Sequence, residues 1–325
     1  MYNRKLITKQ KIIITDGIAG GGKSLMCNLI SSLPKVDQWS VNYWLDQIAS
    51  LYNIKKIDLN TASYILKTNH NQIYYDNSML RLSNFRKSDL TAITKHPRYK
   101  FIKKRMNSDD KKTFLKFKDK IFIQYCAHMT ANFAEPFFKA FEKQLLFIQL
   151  LRSPLNISML EHLASWSKKW EKSKSRDGYI KFYNKKLNKN FPHFVSDKAY
   201  EYLKANKFER AIIILKKIYN KNKINLKKYE EKYGSKIMRI PYENLITNPK
   251  KYLKKISKIL NVKIDKTVLN TLKKNNVPRN FILDNHDESG KNFIIKKINK
   301  HYFKRLIILN EYYRKFILNK KIKYN

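Results

Sequence analysis

Four of the chain's seven glycines fall within eight residues, Gly17-Ile18-Ala19-Gly20-Gly21-Gly22-Lys23-Ser24. The apolar run at 11–15 (KIIIT) precedes them, and a run with helical spacing, 25–32, follows. Glycine, four residues, then Gly-Lys-Ser between a strand and a helix is the pattern of a phosphate-binding P-loop. Glycines let the backbone turn tightly and bring several N–H groups to one point with no Cβ in the way. The helix that starts there adds unsatisfied N–H groups and the positive end of its dipole. Lys23 supplies a mobile full charge to the same anion. The competing reading is a merely structural strand-to-helix turn.

Three further segments read as buried parallel strands, being short, apolar and closed by polar or turn residues. They are 121–126 (IFIQYC), 145–151 (LLFIQLL) and 236–240 (KIMRI). Each is followed by a helix-like stretch, and that alternation predicts an α/β fold: a P-loop-type doubly wound parallel sheet flanked by helices. About a hundred residues separate the first two strands, too many for a plain crossover, so helical insertions are expected. The reading is one domain over 1–325 with a helical insertion around 39–118. Trp39, Tyr43, Trp44 and Ile48 lie there at helical spacing and read as core. A second helical region runs from 155 to 219, with loops expected near 173–178 and 190–192. The end, 298–322, reads as one or two helices.

At 325 residues, 43% hydrophobic and 29% charged, the chain reads as globular. The charged first ten residues carry no apolar stretch, so no secretory signal is expected. The longest apolar runs are too short to cross a bilayer. Cys27 and Cys126 lack metal spacing and read as reduced core residues, which suits a cytoplasmic protein. The formal charge of +44 would attract anions, nucleic acid included. The same balance arises from a genome rich in A and T, because Lys, Asn, Ile and Tyr are abundant together. The lysines are also spread along the chain rather than gathered into a patch.

Two residues join the loop at the carboxyl edge of the expected sheet, where α/β proteins gather ligands. His128 follows the second of these strands, in Tyr125-Cys126-Ala127-His128-Met129-Thr130. A neutral imidazole there could take a proton from an acceptor hydroxyl; the alternative is a hydrogen-bonded core histidine. Arg152 leaves the third strand in Leu150-Leu151-Arg152-Ser153-Pro154. Its guanidinium suits a second phosphate, with two parallel hydrogen bonds; the alternative is a surface arginine beside a helix start. A Mg²⁺-organising strand ending in Asp is not evident. The later strands end in Cys126-Ala127-His128, in Arg152 and in Pro241-Tyr242-Glu243, and Asp16 lies on the loop's own strand.

With these segments, and with Tyr242-Glu243-Asn244-Leu245-Ile246-Thr247-Asn248-Pro249 before a late helix, the chain resembles the sulfotransferase family. That family uses 3′-phosphoadenosine-5′-phosphosulfate (PAPS) as donor. The resemblance implies that the glycine-rich loop holds the 5′ phosphosulfate and that an Arg/Ser pair holds the 3′ phosphate. It also implies that His128 stands where many members have their base. Tyr242 and Glu243 read as structural. The family's loop lysine often stands about where Gly20 falls here, and Lys23 where Ser or Thr is common. Ser158 follows Arg152 by six residues, whereas the family serine follows by eight. Ser289-Gly290-Lys291 is the candidate for the family's C-terminal basic contact.

The expected activity is sulfuryl transfer from PAPS to a hydroxyl or amine acceptor, which is a glycan, lipid, metabolite or protein. His128 and Lys23 are the expected catalytic residues. Gly20, Gly21, Gly22, Lys23, Ser24, Arg152 and Ser158 are expected to bind the donor, and no metal is expected. Two alternatives stand beside it. One is a P-loop kinase using ATP and Mg²⁺ on a small hydroxylated substrate. The other is a basic nucleic-acid-binding protein.

Overall fold

Ile12, Ile13 and Ile14 are all buried, because the strand they open is covered on both faces. The computed structural model describes residues 4–107, 110–172 and 178–319. In chain order the first half holds β1 (Ile12–Gly17), α1 (Lys23–Ser31), β2 (Ser40–Val41), α2 (Tyr43–Asn53), α3 (Leu59–Ser78), α4 (Tyr99–Lys103), α5 (Asp110–Phe117), β3 (Ile123–Cys126), α6 (Glu135–Phe141) and β4 (Leu145–Leu151). The second half holds α7 (Ile157–Glu171), β5 (Lys181–Asn184), β6 (Lys189–Pro192), α8 (Ala199–Lys204), α9 (Lys207–Tyr233), β7 (Lys236–Pro241), α10 (Tyr242–Thr247), α11 (Pro249–Leu260), α12 (Lys266–Lys274), α13 (Leu283–Ile295) and α14 (Lys300–Tyr312).

Five strands form one sheet in the order β2-β3-β1-β4-β7, and every pairing in it is parallel. This is the α/β architecture that the apolar runs predict. Ile14 lies between Tyr125 of β3 and Phe147 of β4, so β1 is the middle strand. Alternate residues serve opposite cores, as the period of two requires. Ile12 and Ile14 pack with α2, α3 and α6 through Leu45, Leu66 and Phe137. Ile13 packs with α1 and α11 through Met26, Leu29 and Leu253. A third core joins α7, α9 and α14 through Leu160, Ile212 and Leu306. The chain leaves β1 and later returns on one side as β3 and on the other as β4. The crevice beyond β1 is therefore the switch point of the sheet.

The structure departs from the sequence expectations at several places. The loop expected at 190–192 is strand β6, paired antiparallel with β5 so that Phe182 faces Phe191. The hairpin escapes a pattern search because lysine and asparagine occupy most of its positions and only one face packs. Helix α9 runs on to Tyr233, well past 219, and closes on Gly234 in the left-handed conformation (φ 65°). The loop expected near 173–178 lies, except for Gly178, outside the described residues. Of the four residues read as helical core, Trp39 precedes β2 rather than lying in a helix, and Tyr43 and Trp44 are exposed at the start of α2. Among the described residues, no helix is long and apolar enough to cross a membrane.

Candidate functional site

The loop after β1 takes its shape from two glycines that no other residue could replace without strain. Gly20 and Gly22 have φ of 77° and 94°, a region that L side chains avoid. A Cβ on Gly22 would stand 2.3 Å from the ring of Tyr242, and one on Gly20 would stand 2.9 Å from the Met159 Cα. The turn is pinned by the Gly21 N–H donating to the Ile18 carbonyl at 2.9 Å. Gly22 caps α1 without any side-chain hydrogen bond. The first-turn N–H groups of Lys23, Ser24 and Leu25 therefore have no partner inside the helix and are open to an anion. The Lys23 ammonium donates to the Gly17 and Ile18 carbonyls, both at 2.9 Å. Two of its three protons are thus held by the loop, which aims the charge.

His128 stands just beyond β3, and its position is set from three sides. Its Nδ1 lies 2.8 Å from Oδ2 of Asp46, and its backbone N–H donates to Oδ1 of the same carboxylate at 3.0 Å. The Tyr179 hydroxyl donates to the His128 carbonyl at 2.5 Å. The Tyr43 ring stacks on the imidazole, with centroids 6.0 Å apart. Asp46 is buried in α2, so its carboxylate accepts the Nδ1 proton and leaves the lone pair of the neutral ring on Nε2. Burial works against the charged ring, but the Asp46 charge and hydrogen bond outweigh it and hold the His128 pKa above 6.5. The Lys23 ammonium pulls the other way.

The segment that carries His128 is tied to β1. Asp16 accepts from the Thr130 N–H at 2.8 Å, the Thr130 hydroxyl at 3.0 Å and the Ala131 N–H at 3.2 Å. Burial raises the Asp16 pKa against those bonds. Asp16 thus holds the loop after β3 in register with the loop after β1.

Arg152 leaves β4 toward the same crevice. Its guanidinium lies 4.0 Å over the Tyr242 ring, and Nη1 donates to the Gly20 carbonyl at 2.5 Å. Its Nε is buried without a hydrogen-bond partner among the described residues. A planar cation with an unused donor beside the glycine-rich loop fits an anionic group. The backbone around it is clamped by buried acids. The Ser153 N–H donates to Glu243 at 2.9 Å, and the Ser153 hydroxyl donates to Asp287 at 2.9 Å. The Tyr313 hydroxyl donates to the other Glu243 oxygen.

Gly20, Gly22, Lys23, Ser24, His128 and Arg152 line one cavity of about 600 Å³ at the carboxyl edge of the sheet. Gly21 and Ser158 do not line it. Ser158 is exposed on α7, and its carbonyl accepts from His162 Nδ1 at 2.8 Å. Ser289-Gly290-Lys291 lies within α13, where Gly290 packs against the Leu155 carbonyl and Lys291 pairs with Glu288 at 3.5 Å. Both cysteines are free and buried, and Cys126 lines the cavity. Among the described residues, no cluster of His, Cys, Asp or Glu could hold a metal ion.

Sequence reasoning missed several residues here. Trp39, Tyr43, His162 and Tyr179 also line the cavity, and Asp46 orients His128. The one local signal for Asp46 was a carboxylate between Leu45 and Ile48 on the apolar face of a helix. Tyr242 does more than shape a turn, since its ring supports both Gly22 and Arg152.

No protein-family profile and no curated protein matches the chain. Among solved structures it is similar to the sulfotransferase domain of the Synechococcus PCC 7002 olefin synthase. That likeness has 12% identity and a TM-score of 0.43, covering 99% of this chain and 100% of the other. The sulfotransferase domain from the curacin biosynthetic pathway gives 12% identity, 97% and 100% coverage and a TM-score of 0.37. The sulfotransferase STF9 from Mycobacterium avium gives 10% identity, 97% and 78% coverage and a TM-score of 0.39.

Proposed function

We propose that this protein is a sulfotransferase that moves a sulfuryl group from PAPS to a hydroxyl or amine acceptor. The observation that carries the reading is the convergence of Lys23, Arg152 and an Asp46-oriented His128 on one cavity. Bound PAPS supplies a sulfuryl group on a phosphate leaving group. The N–H groups of Gly22 to Ser24 and the Lys23 ammonium hold the 5′ end and neutralise the charge that grows on the leaving phosphate oxygen. Arg152, stacked on Tyr242, holds the 3′ phosphate through its outward donors. His128 Nε2 accepts the acceptor's proton as the new S–O bond forms, and Asp46 stabilises the resulting imidazolium. Ser158 is left without a role in donor binding, since its hydroxyl lies off the cavity wall. The two free thiols suit a reducing compartment, and the reading includes a cytoplasmic location.

The loop pattern by itself also suits ATP, so the deciding experiment is a nucleotide titration. Adenosine 3′,5′-bisphosphate should raise the melting temperature without Mg²⁺ and more than ATP does with it. Stabilisation by ATP and Mg²⁺ alone would replace this reading with a kinase. Strongly salt-dependent nucleic-acid binding with no preference for a 3′ phosphate would replace it with a nucleic-acid-binding protein.

A further inference from the structure

A second cavity of about 600 Å³ adjoins the first, and Trp39, Val41, Tyr43 and Thr91 line both. It lies between the β2 segment and the chain following α3. Among the described residues, sixteen line it and none of these is lysine or arginine, although those two types make up 69 of the 325 residues. Its one charged residue, Asp37, is already held by Arg105, at 2.7 Å. A recess whose described walls carry no lysine or arginine, in so basic a protein, disfavours a polyanionic occupant, which would lose its hydration without gaining a counter-charge.

The walls instead combine aromatic faces with neutral hydrogen-bonding groups. The Tyr43 and Trp44 rings are exposed, 41% and 60%, and Trp39 forms part of the wall shared with the first cavity. Gln38, Ser40, Asn77 and Ser83 line the recess, and among the described residues their side chains make no hydrogen bond within the chain. Side-chain amides and hydroxyls donate and accept at once, as sugar hydroxyls do. Flat rings cover the C–H faces that a sugar turns away from water. A purely apolar alcohol would leave four polar side chains without partners.

We infer that the second cavity binds a neutral carbohydrate, so that the acceptor is a hydroxyl of an uncharged sugar. The inference rests on the transfer reaction proposed above. The sugar seated in the outer recess passes one hydroxyl beyond Tyr43 to the imidazole stacked on that ring. Sulfuryl transfer then makes the new S–O bond to that oxygen, breaks the bond to the 5′ phosphate and leaves the proton on His128 Nε2.

The test uses the full chain saturated with adenosine 3′,5′-bisphosphate on an array of neutral oligosaccharides. Radiolabelled PAPS is then offered with the retained sugars, with uronate oligosaccharides and with 2-naphthol. Binding of neutral sugars and label transfer to them is the expected result. Trp44→Ala should raise KM for the sugar at least tenfold, with kcat within threefold and nucleotide affinity unchanged. Gln38→Lys should narrow the preference for neutral over uronate sugars. Nucleotide binding together with transfer confined to uronates or 2-naphthol, or with no neutral sugar retained, overturns the inference and leaves the transferase reading standing. Failure to bind the nucleotide at all overturns both.

Discussion

Asp46 and His128 are joined twice, by a side-chain contact of 2.8 Å and by a backbone N–H donated at 3.0 Å to the same carboxylate. The pairing fixes both the direction of the imidazole and the nitrogen that keeps the free lone pair. A carboxylate on helix α2 therefore governs an imidazole beyond strand β3. Most of the site's measurable chemistry follows from that link.

In the proposed role as base His128 must be neutral, so kcat/KM should rise with pH through an apparent pKa above 6.5. Asp46→Asn removes the charge that favours the imidazolium. The limb then moves to lower pH, and turnover falls about a hundred- to ten-thousand-fold. Because the folded pKa is raised, the pair's stabilising effect is complete at acid pH and fades as pH climbs through that value. A pH–rate profile of both proteins checks the sign, and an unmoved limb would remove Asp46 from this role.

Arg152→Lys keeps a charge but loses the planar fork and its stacking on Tyr242. Affinity for adenosine 3′,5′-bisphosphate should fall by about 1.5–3 kcal/mol, roughly 10- to 150-fold. Affinity for adenosine 5′-phosphate, which lacks the second phosphate, should change far less. Calorimetric titration of both nucleotides separates the two effects, and equal losses would take Arg152 away from the 3′ phosphate.

Gly22→Ala meets two obstacles, a φ of 94° and the Tyr242 ring 2.3 Å from the new Cβ. Backbone strain alone costs about 1–3 kcal/mol, and displacing the ring adds to it. In a Tyr242→Ala background only the backbone strain remains, so the same substitution should cost less. Urea denaturation of the four proteins in the cycle measures the difference.

Arg105 and Asp37 form a buried pair, 1% and 4% exposed on their side chains, and Arg105 also donates to the Asn77 carbonyl at 3.0 Å. Arg105→Met leaves an uncompensated buried carboxylate and should destabilise the fold by about 3–5 kcal/mol. Replacing both residues with Met and Leu should restore much of that loss. Melting curves of the single and double variants test it.

The glycine-rich turn and the main strands are legible because their causes are local. Ile12 to Ile14 and Leu145 to Leu151 are apolar throughout, as burial on both faces demands. Gly20 and Gly22 sit where the backbone must turn left-handed. The β5–β6 hairpin was hidden because Lys181, Lys189 and Asn190 dilute any alternation, and Phe182 and Phe191 meet only across the turn. Asp46 was hidden because its partner lies 82 residues away, and its place on an apolar helix face signals burial without naming the group it meets.

By itself, then, the sequence determined a parallel α/β sheet, the loop at its first strand, and the order in which Lys23, His128 and Arg152 leave that sheet. These follow from burial period and backbone conformation, which act over a few residues. The tertiary structure alone decided that Tyr242 supports Gly22 and Arg152, that Ser158 lies off the cavity wall, and that Asp46 holds His128. Those contacts join distant segments through packing between helices and strands, and no local pattern records which distant side chain comes to rest on which.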